Sequence, residues 1–184
     1  MATLPDIAPA TAVGGGWSLR PVDEPAGTSR SPARRYTASY GDGDGRVDLL
    51  VRVQRVRDHP LRACYPFGEH DLVVRLEGEG EGEGEGGGAD RDGADRDDPA
   101  ARGPEAVASG LLCVLAPALF AADARCRRVI AAPDEWDVRA QRTLTAGGFR
   151  RVTEADLPDG SVVLFAAEPP DIAELPTALD DMPH

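Results

Sequence analysis

The sequence of 184 residues predicts one α/β (α+β) domain, in which a mixed, mostly antiparallel, twisted sheet is flanked by helices. Three observations predict this class. Short β-type runs in the first half alternate with turns rich in Gly and Asp. One long apolar stretch in the middle has helical periodicity. A strand–helix–strand pattern occupies residues 126–165. The length allows a single domain, expected over residues 17–167, with terminal tails.

The N-terminal half predicts the antiparallel part of the sheet. Residues 1–16, rich in Ala, Pro and Gly, are expected to form a flexible tail. Trp17–Leu19 is expected as a first edge strand. A Gly-Asp-Gly-Asp-Gly turn joins Ala33–Tyr40 to Arg46–Arg55 in a β-hairpin, and Asp71–Glu77 is expected as the next strand.

An acidic Gly/Glu/Asp linker over residues 77–101 interrupts the predicted domain. Residues 77–98 contain ten carboxylates and two arginines, and so supply −8 of the net charge of −12. Because like charges repel and glycine offers nothing to pack, this stretch is predicted to be disordered. A calcium-binding acidic repeat is the alternative interpretation, although the spacing lacks an Asp-x-Asp-x-Asp-Gly pattern. The following segment, Glu105–Ala122, predicts a helix that Pro117 should kink.

The segment after this helix carries the most specific pattern. Cys126–Ala132 predicts a buried strand. Asp137 is a good N-cap for a helix over Val138–Ala146, and the two glycines that follow can end it with positive φ. A Leu-Pro-Asp-Gly hairpin then joins a strand that begins at Phe149 to a strand over Ser161–Ala166. Beyond it, residues 168–184 are expected to be an acidic tail.

Composition and charge exclude several classes of function. A nucleic-acid groove requires a positive stripe, and none is visible. No apolar run reaches the length of a membrane span and no secretory signal is visible, so a cytoplasmic location is expected. Three widely spaced cysteines, Cys64, Cys113 and Cys126, fit a reducing compartment. They are interpreted as small buried hydrophobes, and no metal site is predicted because no Cys/His cluster exists.

Residues 126–165 resemble the C-terminal half of a GCN5-related N-acyltransferase. Within that superfamily they resemble the branch that acylates amines or hydroxylamines, such as lysine and hydroxylysine side chains, in hydroxamate siderophore assembly. Those relatives carry Glu-Pro-Asp-x-Arg-Asn, a helix, Ala-Gly-Phe and Asp-Leu-Pro. The matching residues here are Ala132–Asp137, Gly148–Phe149 and Asp156–Asp159. A looser match upstream includes Cys64–Phe67 and His70–Leu72, so that the resemblance covers residues 33–167.

The resemblance implies an acyl-coenzyme A co-substrate and a small-molecule amine or hydroxylamine acceptor. It assigns the phosphate cradle to Arg102, Gly103 and Ala106. It assigns a catalytic role to Asp134, which would orient or deprotonate the acceptor. In relatives a His on the fourth strand acts with that Asp; alignment puts Arg75 there, and an arginine cannot accept a proton. His70 is the substitute candidate.

Departures from the family pattern keep a second class of function open. Pro104 lacks an N–H, and Glu105 stands where relatives have a glycine that lets backbone approach phosphate. Both residues also suit a plain helix N-terminus. Residues 21–32 are too few for the two helices that wall the acceptor pocket in relatives, so the fold is expected to be shortened. The alternative function is a catalytically degenerate, partner-binding or regulatory subunit, as a homodimer or with a biosynthetic partner protein. Aminoglycoside-type acetylation is a third option.

Overall fold

The computed structural model describes residues 4, 11–22, 33–41, 46–64, 66–77 and 103–169. Its described strands form one sheet of eight in the order β1-β2-β3-β4-β5-β6-β8-β7, and only β5 and β6 pair in parallel. This mixed, mostly antiparallel sheet confirms the predicted fold class. The strands are β1 (Thr11–Gly14), β2 (Trp17–Val22), β3 (Ala33–Tyr40), β4 (Val47–Arg55), β5 (Leu72–Glu77), β6 (Val129–Ala131), β7 (Arg150–Leu157) and β8 (Gly160–Ala167).

Two helices, α1 (Pro104–Ala122) and α2 (Val138–Ala146), pack on the same face of the sheet, called the helix face below. They run parallel to each other, because Glu105 in the first turn of α1 pairs with Arg139 in the first turn of α2, and Leu112 lies against Gly147 just after α2. The main core lies between these helices and the sheet. It includes Trp17, Tyr36, Val51, Val74, Leu111, Leu115, Leu119, Val129, Phe149 and Phe165.

The opposite face of the sheet, called the far face, carries a smaller apolar cluster that includes Val73, Ile130 and Leu164. Two short 3-10 turns, Val56–Asp58 and Pro60–Ala63, connect β4 towards β5 and contribute Val56 and Leu61 to this cluster. The far face is therefore covered by turns rather than helices in the part of the chain that the structure describes.

The sheet begins earlier than the sequence predicts. β1 lies within residues 1–16, the expected tail, and pairs with β2. A tight turn makes this hairpin possible, since Gly15 has φ of 56° and Gly16 has φ of 81°, values that glycine adopts without a steric penalty. As a consequence, β2 is an interior strand and not the edge strand that was expected.

The two glycines after α2 have different roles. Gly148 has φ of 85°, as predicted for a helix end, but Gly147 has φ of −80°. A Cβ on Gly147 would lie 2.6 Å from Leu112 Cβ, so Gly147 allows the end of α2 to approach α1 closely. Phe149 follows with a side chain only 2% exposed in the main core, which fixes the start of β7.

The expectation that no apolar segment has the length of a membrane span is wrong for α1. It has 19 residues and a mean hydropathy of 1.9 over an 18-residue window, so by length and composition alone it could cross a membrane. Here it packs on the sheet with six residues buried, and core helices pass the same test. Pro117 lies inside the helix, which continues to Ala122.

Several expectations fall on residues outside the described ranges. They concern the acidic linker beyond Glu77, the segment 23–32, the tail beyond Pro169 and the phosphate-binding role of Arg102. Of the three cysteines that were expected to be buried, only Cys126 is; Cys64 is half-buried and Cys113 is exposed.

Candidate functional site

The parallel pair β5–β6 is the only such pair in the described sheet, and it is short. Its register joins Leu72 to Val129 and Val73 to Ile130, at the start of both strands. This end of the pair is called the lower edge below, and the end where β5 and β6 finish is called the upper edge.

Above these two pairs each strand stays with its outer neighbour. β5 remains paired with β4 as far as Glu77, whereas the chain after β6 remains beside β8 through the bridge between Asp134 and Val162. Residues 74–77 of β5 therefore have no strand partner on their β6 side within the described residues. The strands diverge and leave a wedge that opens at the upper edge.

The wedge has the position at which open α/β sheets bind ligands. Such sites lie beyond the carboxyl ends of parallel strands, where helix N-termini also point. α1 runs from the upper edge, where Glu105 meets the start of α2, to the lower edge, where Asp123 follows its last turn. Both helix N-termini therefore flank the mouth of the wedge.

The N-terminus of α1 offers few free backbone donors. The N–H groups of Ala106 and Val107 both donate to the Gly103 carbonyl, at 2.9 and 3.3 Å, and Pro104 has no N–H. Glu105 Oε1 lies 2.8 Å from Arg139 Nε, in a pair that is half-exposed on both sides. Gly103 and Ala106 lie at the N-terminus of α1, and their phosphate-binding role stays a prediction. A carboxylate in the first turn already complements the helix dipole.

Asp134 stands at the upper edge, just after β6, and is exposed. Its Oδ1 accepts a hydrogen bond of 2.9 Å from the backbone N–H of Trp136. Gln141 Nε2 on α2 donates to the Asp134 and Glu135 carbonyls, which holds the loop against the helix. The backbone around Asp134 is therefore fixed from two sides, and the carboxylate is exposed at the mouth of the wedge. Trp136, two residues further along the chain, is 81% exposed.

The structure does not bring His70 and Asp134 together. His70 precedes the paired part of β5 at the lower edge, whereas Asp134 follows β6 at the upper edge. With a rise of about 3.3 Å per residue, the two lie on the order of 20 Å apart along the strands. His70 Nδ1 instead lies 3.4 Å from Asp123 Oδ2.

The lower edge is held by a buried cluster of charged groups, called the basal cluster, which consists of Arg55, His70, Asp71 and Asp123. Arg55 Nη2 donates to Asp123 Oδ2 at 2.7 Å, and its other terminal nitrogen donates to the His70 carbonyl. Burial alone would raise the pKa of Asp123, but hydrogen bonds from Arg55 and from the Arg125 backbone lower it to about 2. The cluster ties the end of β4 to the end of α1.

Asp71 joins the two parallel strands at the same edge. Asp71 is 2% exposed, and its carboxylate accepts hydrogen bonds from the N–H groups of Arg127 and Arg128, just before β6, and from the N–H of Gly68. Burial first, and then the Asp71 carboxylate, raise the pKa of Cys126 to about 12, so this thiol stays protonated and is not a nucleophile.

The register also aligns three arginines that the sequence analysis did not bring together. Arg35 on β3 faces Arg52 on β4, which faces Arg75 on β5. Their chain neighbours Tyr36, Val51 and Val74 are buried in the main core, so by alternation this arginine row lies on the far face. Each of these three successive strands has an arginine at a position that alternates with its core residues. The sequence shows these arginines, but only the register between the strands shows that they are neighbours.

No protein-family model and no curated protein sequence matches this chain. Solved structures do match it. An uncharacterized protein (bh2621) from Bacillus halodurans superposes with a TM-score of 0.54 and 18% identity, over 74% of this chain and 58% of that one. AAC(6')-Ib in complex with paromomycin and acetyl-CoA superposes with a TM-score of 0.56 and 13% identity, over 81% of this chain and 72% of that one.

A second structure of the aminoglycoside acetyltransferase AAC(6')-Ib, with coenzyme A and kanamycin, gives a TM-score of 0.54 at 14% identity. It covers 76% of this chain and 68% of its own. At these identities the likeness concerns the fold alone: the chain has the fold of the GCN5-related N-acyltransferases. The chain spans 58% of the Bacillus halodurans protein and about seven-tenths of AAC(6')-Ib.

Proposed function

We propose that this protein transfers an acyl group from acyl-coenzyme A to an amine nitrogen. The observation that carries the proposal is the wedge between β5 and β6. An extended arm that contains amide groups, such as the pantetheine arm of coenzyme A, can hydrogen-bond to an unpaired strand edge as an added strand does. The arm would then bring its thioester between the strands, close to Asp134.

The reaction needs little from the protein beyond position and a proton acceptor. The amine nitrogen attacks the thioester carbon, a C–N bond forms, the C–S bond breaks and the thiolate of coenzyme A leaves. A protonated amine loses a first proton before it attacks, and its nitrogen loses a second as the amide forms; the leaving thiolate takes up one of the two. Asp134 is placed to orient the protonated amine and to accept a proton from it, since its Oδ1 is held by the Trp136 N–H and its carboxylate is exposed. His70 lies too far away for this role and serves the basal cluster in this proposal.

The acceptor in this proposal is a small-molecule amine or hydroxylamine, of the kind acylated in hydroxamate siderophore assembly. Two observations support it. The sequence resemblance to that branch is most specific over residues 126–165, which include β6 and Asp134 on the β6 side of the wedge. In the described part of the chain no helix covers the far face, and its 3-10 turns follow the end of β4, at the lower edge.

A second candidate is a non-catalytic, partner-binding protein with the same fold. The observation that favours it is the ion pair between Glu105 and Arg139 at the N-terminus of α1. A carboxylate there repels phosphate, and the Ala106 and Val107 N–H groups already bond to Gly103. In the first proposal the phosphates are therefore held weakly and the arm in the wedge supplies most of the binding.

The experiment combines acetyl-CoA with a panel of small primary amines and hydroxylamines and measures free coenzyme A and acylated product by mass spectrometry. Asp134→Asn keeps the hydrogen bond from Trp136 but weakens the proton acceptor, and we expect it to lower kcat by about 100-fold or more. The matched control is Asp159→Asn, in the exposed β7–β8 turn, which should leave kcat unchanged.

Three outcomes separate the candidates. Product formation that depends on Asp134 supports the acyltransferase. Absence of acylation of every amine in the panel, whether or not acetyl-CoA binds, supports the non-catalytic protein. Equal activity of the Asp134→Asn and Asp159→Asn variants would show that Asp134 has no role in the proton transfer.

A further inference from the structure

The arginine row on the far face carries more positive charge than the sheet needs. Residues directly opposite each other on adjacent strands lie about 5 Å apart, and like charges in such pairs destabilise a sheet. Arg35, Arg52 and Arg75 form two such pairs in succession. A row of like charges that destabilises the free protein is typical of a site that binds a ligand of opposite charge.

Glu77 is a carboxylate of the described residues that pairs with this row, through Arg35. Arg35 Nε lies 3.4 Å from Glu77 Oε2. Arg52 Nε is buried without a hydrogen-bond partner, and neither Arg52 nor Arg75 has an ion pair with a carboxylate of the described chain. Among the described residues, Arg52 and Arg75 therefore carry two positive charges that no carboxylate pairs with.

His59 adds a hydrogen-bond donor next to the row without adding charge. Burial first, and then the charges of Arg52 and Arg75, lower the pKa of His59, so that it is neutral at neutral pH. Its Nδ1 accepts a hydrogen bond of 3.2 Å from the Leu61 N–H, which leaves the proton on Nε2. Gln54 Nε2 donates to the Asp58 carbonyl at 2.7 Å and fixes this turn against β4.

Asp134 and Arg75 lie on the same face of the sheet, on opposite sides of the wedge. Val162, the bridge partner of Asp134, packs against the far-face cluster, and residues paired across antiparallel strands share a face. If the β5–β6 register is extended, Asp134 lies opposite Glu77, which is two residues beyond Arg75 on the same face of β5. The two backbones are on the order of 10 Å apart, a span that one small molecule can bridge.

We propose that Arg52 and Arg75 bind an oxyanion on the acyl acceptor, so that the acceptor is a small molecule with an amine at one end and a carboxylate or phosphate at the other. This inference rests on the proposed function for the place of the amine at Asp134. A planar guanidinium binds the two oxygens of such a group through paired N–H donors. Arg75 acts here in binding and not in proton transfer, because it cannot release a proton.

The test measures acceptor binding by calorimetry at low ionic strength, without coenzyme A, using pairs of amines that differ in one group. L-Ornithine is compared with putrescine, which lacks the carboxylate, and O-phosphoethanolamine with ethanolamine. We expect at least one oxyanion-bearing member to bind roughly 10- to 100-fold more tightly than its partner, as expected for hydrogen bonds to charged groups. The pair that shows the difference identifies the oxyanion as carboxylate or phosphate.

Substitutions identify the residues that produce the difference. Arg75→Gln and Arg52→Gln should each remove most of the preference for the oxyanion-bearing amine. Arg142→Gln, on the exposed surface of α2, is the matched control and should keep it. Arg75→Gln should also raise the melting temperature slightly, because a like-charge pair is relieved; this result separates loss of a ligand group from loss of the fold.

Binding of acetyl-CoA, measured in parallel, separates this inference from the proposed function. Oxyanion preference that depends on Arg52 and Arg75 supports the inference even if acetyl-CoA does not bind. Equal affinity for the two members of both amine pairs, or a preference that survives both substitutions, would overturn it even if the protein acylates amines.

Discussion

The two ends of the β5–β6 pair differ in how their charged groups are used. At the lower edge, the basal cluster is buried and its carboxylates are bonded: Asp123 faces Arg55, and Asp71 accepts three backbone N–H groups. At the upper edge the strands separate, and Asp134 stands exposed at the mouth of the wedge. The same pair of strands is therefore closed at one end and open at the other.

This difference separates charges that hold the fold from charges that are available to a ligand. A buried charge must be paired, because an isolated one costs several kcal/mol, and such pairs join elements distant in sequence. Charges at the upper edge and on the far face are less buried, and two arginines there have no carboxylate partner among the described residues. Substitutions at the two ends should consequently change different properties.

The largest effect is expected at the lower edge. Asp123→Asn removes the carboxylate that faces the buried Arg55 guanidinium, and we expect a loss of about 3–5 kcal/mol in the free energy of unfolding. Asp134→Asn is the comparison at the upper edge and should change that free energy by less than about 0.5 kcal/mol. Urea titrations of both variants check this. Equal destabilisation by the two would remove the distinction between the edges.

A smaller effect is expected from pH. The pKa of Asp123 is lowered in the folded protein to about 2, below its value in the unfolded chain of about 3.9. The stability that it contributes is therefore fully present above about pH 5 and is lost as the pH falls towards 2. The amount is about 2 kcal/mol. Between pH 6 and pH 3, the free energy of unfolding should decrease more for the natural protein than for Asp123→Asn. An equal decrease in the two proteins would show that Asp123 does not cause this pH dependence.

The smallest effect is expected from the acidic stretch after β5. Replacing residues 78–98 by a short Gly/Ser linker should leave the melting temperature nearly unchanged, because loop length enters the closure entropy only logarithmically. Thermal unfolding measured by circular dichroism checks this. A loss of several degrees would mean that these carboxylates contact the body of the protein, with Arg52 and Arg57 as the first residues to substitute.

Local sequence signals predicted most of the fold. The β3–β4 hairpin, the capped helix α2 and the β7–β8 hairpin follow from turn residues and periodicity within short windows. β1 was missed because the Gly15–Gly16 turn lies in a segment whose Ala, Pro and Gly content resembles a tail. Short-range patterns do not report pairing with a neighbouring strand.

The candidate site could be predicted only in part. The place of Asp134 between a buried strand and the start of α2 could be predicted from the residues around it, whereas its catalytic role stays a prediction. The wedge and the arginine row depend on the register between strands, and the ion pair of Arg55 with Asp123 spans 68 positions. Contacts of that range are set by how α1 packs on the sheet, which no local pattern encodes.

We expect the wedge to bind the acyl donor while the N-terminus of α1 holds the phosphates of that donor weakly. Calorimetric titration with acetyl-CoA tests it on the natural protein and on a variant with Pro104→Leu and Glu105→Gly, which removes a carboxylate and restores an N–H. Arg142→Gln is the control for a change in charge elsewhere on the surface.

We expect weak binding by the natural protein and binding tighter by at least about tenfold for the double variant, since removing a repelling charge and adding a donor each contribute about 1 kcal/mol or more. The Arg142→Gln control should bind as the natural protein does. Absence of acetyl-CoA binding in both the natural protein and the double variant would contradict the claim, because the wedge is unchanged in both.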